Sequence, residues 1–174
     1  MRRRVGWWQA VGFLVTALGG VLLHFLYDWS GQNPAVGLVS AVNESIWEHL
    51  KLLYVPLMGF SLVEARTLAG DHPGYWCAKL GGTLTGLVSI PLLYYTYTGA
   101  LGVKADWFNI FIFFLAAAVA FTLETHLLRH SLPCNRPKVA VGILIGIGGL
   151  FALFTFAPPH LPLFFDPVTG TYGI

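Results

Sequence analysis

Apolar residues run almost unbroken over residues 6–27, 75–98, 107–128 and 139–157. A fifth run, residues 45–66, is apolar but interrupted by Glu48, His49, Lys51 and Glu64. Each run is about 20 residues, the length a helix rising 1.5 Å per residue needs to cross a hydrocarbon core of about 30 Å. Turn signals and short loops separate the runs: Gly31-Gln32-Asn33-Pro34, Asp71-His72-Pro73-Gly74 and a short loop over 99–106, and Pro158-Pro159 stops the last. Residues 34–42 are apolar but too short to span. The expected fold is all-α: a polytopic integral membrane bundle of five transmembrane helices forming one domain, with an interfacial or re-entrant segment between the first two. A turn-rich extramembrane tail, residues 158–174, follows.

Local chemistry adds detail. Ser45 and Glu48 have capping-box spacing, and Pro56 and Pro91 sit inside spans. Gly19-Gly20 and the Gly142/Gly146 step favour close helix approach. The first run begins after basic residues but is longer than the 7–15 apolar residues of a signal peptide, so we read it as a retained helix.

Composition agrees with the pattern. The chain is 56% hydrophobic and 10% charged over 174 residues, against roughly 25% charged in soluble domains. Mean hydropathy is +0.68. Aromatics make up 15%, many near span ends, as in interfacial belts. A net charge of +2 gives no electrostatic support for a nucleic-acid partner. The bilayer is the expected partner. Arg2, Arg3, Arg4, Arg66, Lys79, Arg129, Arg136 and Lys138 fall on one side of the bundle, with Lys51 and Lys104 on the other, which predicts an N-in, C-out orientation. Cys77 and Cys134 lie near cytoplasmic helix ends on that reading, where thiols are expected to stay reduced.

The densest polar cluster is Asn43-Glu44-Ser45-Ile46-Trp47-Glu48-His49-Leu50-Lys51. With five spans, His24 and Asp28 end the first helix at the same outer face where Glu44, Glu48, His49 and Lys51 begin the second. Tyr94, Tyr95 and Tyr97 end the third there, and the tail brings His160 and Asp166. Carboxylates with imidazoles suit zinc, iron or manganese, and carboxylates with carbonyls suit calcium. His24, Asp28, Glu44, Glu48 and His49 are therefore candidate ligands of a divalent metal ion, the one cofactor the residues suggest. Asn43, Lys51, Tyr95 and Asp166 are further residues of that face. The plainer alternative has Glu48 capping its helix, His49 packing on Trp47 or Tyr54, and Lys51 snorkelling to water.

A second cluster, Glu64, Arg66, Glu124, His126, Arg129 and His130, lies at the inner end. Glu124 is the deepest acid of its span. It could pair with Arg66, Lys79 or Arg129, or serve as a proton or cation step. Asp71 and His72 read as solvated loop residues. Neither GxGxxG, P-loop, HExxH nor GxSxG occurs.

At Val42-Asn43-Glu44-Ser45-Ile46-Trp47-Glu48-His49-Leu50-Lys51 and at Pro162-Leu163-Phe164-Phe165-Asp166-Pro167-Val168-Thr169-Gly170-Thr171-Tyr172-Gly173 the chain resembles a family of small uncharacterised bacterial multi-pass membrane proteins. The resemblance implies a bacterial inner-membrane location and no particular mechanism. The leading functional expectation is a protein that binds or transports a cation or proton. The alternatives are a metal-dependent membrane enzyme acting on a lipid or periplasmic substrate, and a structural or accessory subunit. Five short helices enclose little volume, so a wide channel within one chain is not expected; assembly as a homo-oligomer stays open.

Overall fold

The structure, a computed structural model, describes residues 2–131 and 133–174. The described chain is helical throughout: α1 (Arg2–Trp29), a single turn α2 (Pro34–Gly37), α3 (Ile46–Leu68), α4 (Tyr75–Leu101), α5 (Asp106–Arg129), α6 (Pro137–Phe156) and a 3-10 turn (Pro162–Phe164). The one strand-like feature among the described residues is an isolated bridge between Phe165 and Tyr172. Four helices, α1, α4, α5 and α6, are long and apolar enough to cross a membrane. The remaining long helix, α3, matches them in length at 23 residues but carries Glu48, Lys51, Glu64 and Arg66.

Those charges shape the packing. α3 packs against α1, α4 and α6, and it buries Glu48, Lys51 and Glu64 along with Leu50, Leu53, Leu57 and Phe60. α4 and α5 share the most extensive interface. Between the two ends of the bundle the core is filled by Leu53, Leu57, Ala116, Ala117, Ala120 and Phe121. Exposed apolar residues such as Leu18, Leu22, Leu62, Val88, Leu92, Ile110 and Ile145 face outward. In a soluble protein so large an apolar surface would drive association, whereas a bilayer solvates it.

Close approach of the helices depends on small residues at two places. A Cβ at Gly20 would lie 2.7 Å from the Leu52 carbonyl oxygen, so α1 rests directly on the α3 backbone, as the Gly19-Gly20 pair suggested. A Cβ at Gly82 would lie 2.8 Å from the Ala120 carbonyl oxygen and overlap the Glu124 side chain, so α4 leaves room there for an acid on α5. The Gly142/Gly146 step differs from expectation: a Cβ at either position meets nothing within 4 Å. The face α6 presents to the bundle instead carries Ala140, Leu144, Phe151 and Thr155, which are buried.

Two loop expectations need correction. Cys77 and Cys134 are joined in a disulfide, with Cα atoms 5.9 Å apart, rather than standing as separate thiols. The start of α4 and the loop before α6 share one end of the bundle, and a sequence separation of 57 residues conceals that proximity. His72 is buried rather than solvated, while Asp71 stays exposed and pairs with Arg4 at 3.4 Å.

Candidate functional site

The loop into α3 is built by local capping. Asn33 caps the one-turn α2, with Pro34 at its first position, where a missing N–H costs nothing. Ser45 caps α3 by accepting from the Glu48 N–H at 3.3 Å. Only half of the anticipated capping box forms. The Ser45 N–H donates to Asn43 Oδ1, and the Glu48 carboxylate turns inward to accept from the Val42 N–H at 3.0 Å. That inward turn separates Glu48 from Glu44 and gives the two acids different surroundings.

Glu48 lies in a closed, charge-balanced cluster. Its Oε2 is 2.5 Å from Lys51 Nζ, and Thr155 Oγ1 of α6 is 3.0 Å from its Oε1. Lys51 Nζ also donates to the Gly37 carbonyl oxygen and to Thr155 Oγ1, both at 2.7 Å. All three ammonium hydrogens thus have partners. Lys51 does not snorkel: it is fully buried, and it ties α3 to α2 and α6. The tail closes over this region. Ile174 N–H donates to the Thr155 carbonyl oxygen, Asn43 Nδ2 donates to that of Gly173, and Phe164 stacks on Trp47. The two segments that carry the family resemblance therefore dock against each other. Asp166 organises the tail's own turn, accepting from Val168 N–H at 2.8 Å and Thr169 Oγ1 at 2.6 Å.

Glu44 stays at the rim, half-exposed, between two imidazoles. His24 Nε2 of α1 is 3.8 Å from Glu44 Oε1, and His49 Nε2 of α3 is 3.4 Å from Glu44 Oε2. The two rings lie 5.3 Å apart. One ligand atom from each of these three residues can be chosen so that all lie within 4.8 Å of one another. His49 Nδ1 is 2.8 Å from the Ser45 carbonyl oxygen, a bond in which the ring donates and its Nε2 is left facing Glu44. This is the outer contact that commonly fixes a metal-binding imidazole in the required tautomer. In its doubly protonated form the His49 ring also donates from Nε2 to Glu44 and holds that carboxyl below the ordinary glutamate range, against the opposing effect of partial burial.

Of the five candidate ligands, His24, Glu44 and His49 are brought together. Asp28 is exposed one turn beyond His24, and Glu48 is engaged by Lys51, Val42 and Thr155. Among the further residues of that face, Asn43 accepts from the Ser45 N–H ahead of α3 and holds the tail, and Lys51 and Asp166 are buried in the contacts above. Tyr95 is exposed against Tyr94. His126, at the other end, packs against His130, the C-cap residue of α5, with ring centroids 4.4 Å apart.

At the opposite end of the bundle Glu64 and Glu124 of the second cluster are fully buried, together with Lys79. Lys79 Nζ of α4 is 2.5 Å from Glu64 Oε2 of α3 and 2.5 Å from Glu124 Oε2 of α5. Glu64 also accepts from Gln9 Nε2 of α1 at 2.7 Å and from the Tyr75 hydroxyl at 2.9 Å. Of the alternatives for Glu124, the partner is Lys79. Gln9, Tyr75 and Thr155 were not foreseen as members of either cluster. Gln9 and Thr155 are lone polar residues within apolar runs, and that was the available signal.

Fold and polar clusters together define a class: an all-helical membrane protein with buried ion pairs and a histidine–carboxylate group at one rim. The chain belongs to the family described as "Family of unknown function (DUF6512)", which matches residues 2–174. Neither a curated protein nor a solved structure matches it.

Proposed function

We propose that this protein is a bacterial inner-membrane, cation-binding protein whose His24–Glu44–His49 group takes a divalent transition metal at the outer rim. The observation that carries the reading is the convergence of these ligand atoms from α1, the loop and α3 within 4.8 Å. A tetrahedral ion bound at about 2.1 Å separates its ligands by about 3.4 Å. His49 Nε2 lies 3.4 Å from Glu44 Oε2, at that value, and His24 Nε2 lies 3.8 Å from the other carboxylate oxygen, Oε1. Imidazole and carboxylate donors suit zinc, and three protein ligands leave a fourth position for water or a substrate.

α3 is the fifth span in this reading. Its charges face protein partners, so its lipid cost is small despite its composition. The basic residues at the Arg4, Arg129 and Lys138 end support N-in, C-out, which turns the metal group outward.

The open fourth position favours a second reading, a metal-dependent membrane enzyme acting on a lipid or periplasmic substrate. One experiment addresses both. Chelator-stripped protein is titrated with zinc, and the loaded protein is then reconstituted and assayed for ion flux and for release of acid from phospholipid. We expect one zinc per chain, lost in His24→Ala and Glu44→Gln and kept in His126→Ala. Flux marks transport, and hydrolysis marks the enzyme. Zinc uptake that survives His24→Ala and Glu44→Gln contradicts the site itself.

A further inference from the structure

The two buried charge clusters differ in one respect. Around Lys51 one ammonium meets one carboxylate, and every donor and acceptor oxygen of the pair has a partner. Around Lys79 one ammonium meets two carboxylates, Glu64 and Glu124. All three side chains are fully buried. With both acids ionised the site would hold a net negative charge in the bundle interior, which the low dielectric there penalises.

The hydrogen-bond inventory shows where the imbalance falls. Glu64 is satisfied on both oxygens, by Gln9 on one and by Tyr75 and Lys79 on the other. Glu124 uses only Oε2, toward Lys79. Its Oε1 is buried with no partner, and so is Oε1 of Gln9. Gln9 also faces Glu124 from α1. Two unpartnered acceptor oxygens in one buried cluster are the arrangement that a single added hydrogen relieves. Gly82 keeps space for this carboxyl group. The groups facing Glu124 from the packed elements are Gln9 on α1, Glu64 on α3, and Lys79 with Tyr75 on α4.

We propose that Gln9, Glu64, Tyr75, Lys79 and Glu124 form an intramembrane proton-binding site, with one exchangeable proton on Glu124. Binding neutralises the excess charge, and release leaves an anion held by Lys79 with Gln9 beside it. Two carboxylates that share one compensating charge do not both ionise without cost, which makes proton occupancy responsive to conditions at the inner end. The site shares no residue with the metal group, so either can fail without the other.

The test uses chelator-stripped full-length protein in lipid nanodiscs, examined by infrared difference spectroscopy in H2O and D2O. At neutral pH we expect one protonated-carboxyl C=O band that shifts on deuteration. The band is lost in Glu124→Gln, which folds because the amide imitates the neutral acid. It is lost also in Glu64→Gln, where one carboxylate remains for one ammonium and Glu124 ionises. Asp71→Asn leaves it unchanged. Absence of the band in the wild type, its persistence in either Gln variant, or failure of Glu124→Gln to fold overturns the proposal.

Discussion

Lys51→Met asks how strongly the outer ion pair holds the bundle. The substitution keeps an unbranched apolar chain of similar length, so the change is chiefly electrostatic. Three donor contacts disappear, to Glu48, the Gly37 carbonyl oxygen and Thr155. Were these ordinary hydrogen bonds within a bilayer, at about 0.6 kcal/mol each, the loss would be about 2 kcal/mol. The stranded Glu48 carboxylate is the larger effect, because breaking a buried pair by removing one partner costs about 3–5 kcal/mol. Glu48 keeps the Val42 N–H and the Thr155 hydroxyl, which offset part of that cost. We expect a net loss of about 3 kcal/mol in equilibrium unfolding followed in mixed detergent–SDS micelles. The double variant Lys51→Met/Glu48→Gln should recover about 1–2 kcal/mol, since no uncompensated charge remains. Amide exchange should also rise at Ile174, whose N–H donates to the Thr155 carbonyl oxygen beside the α3–α6 clip. A single-variant cost below about 1 kcal/mol, or strict additivity in the double variant, refutes the reasoning.

Gly82→Ala should destabilise by about 1–3 kcal/mol through overpacking against Glu124 and Ala120, whereas Gly142→Ala should be neutral or stabilising by up to about 1 kcal/mol; parallel unfolding curves check the pair. Because the His49 contact lowers the folded-state value of Glu44, its contribution to stability is present above the unfolded glutamate value and is lost as pH falls through the lowered one; Glu44→Gln should flatten that acid limb of the stability–pH profile. Cys77 and Cys134 report orientation. The structure joins them in a disulfide, which a reducing compartment would open: thiols alkylated in intact cells only by membrane-permeant reagents support N-in, and an intact bridge in freshly isolated membranes places that end outside.

Much of the fold was legible because membrane spans are written in length and hydropathy. α1, α4, α5 and α6 fall on the expected apolar runs. α3 was readable as a helix from Ser45 and its apolar period, but its charges hide its buried character, since composition cannot show that Glu48 and Glu64 each find a lysine. Convergence of His24, Glu44 and His49 followed from the up-and-down order of the helices. The split between Glu44 and Glu48 did not: Glu44 precedes the helix cap at Ser45, so the two acids share no helical face. The Cys77–Cys134 pairing and the burial of His72 depend on loop paths that leave no periodic trace. The open face at Gly142 and Gly146 shows that a small-residue step permits close packing without requiring it.

The most direct test of the central claim is X-ray absorption spectroscopy at the zinc edge on the loaded protein. The expected spectrum fits two imidazoles and one carboxylate with first-shell distances of about 2.0–2.2 Å, and one imidazole disappears in His49→Ala. A first shell of water oxygens alone, or a spectrum unchanged by His49→Ala, would contradict a metal held by His24, Glu44 and His49.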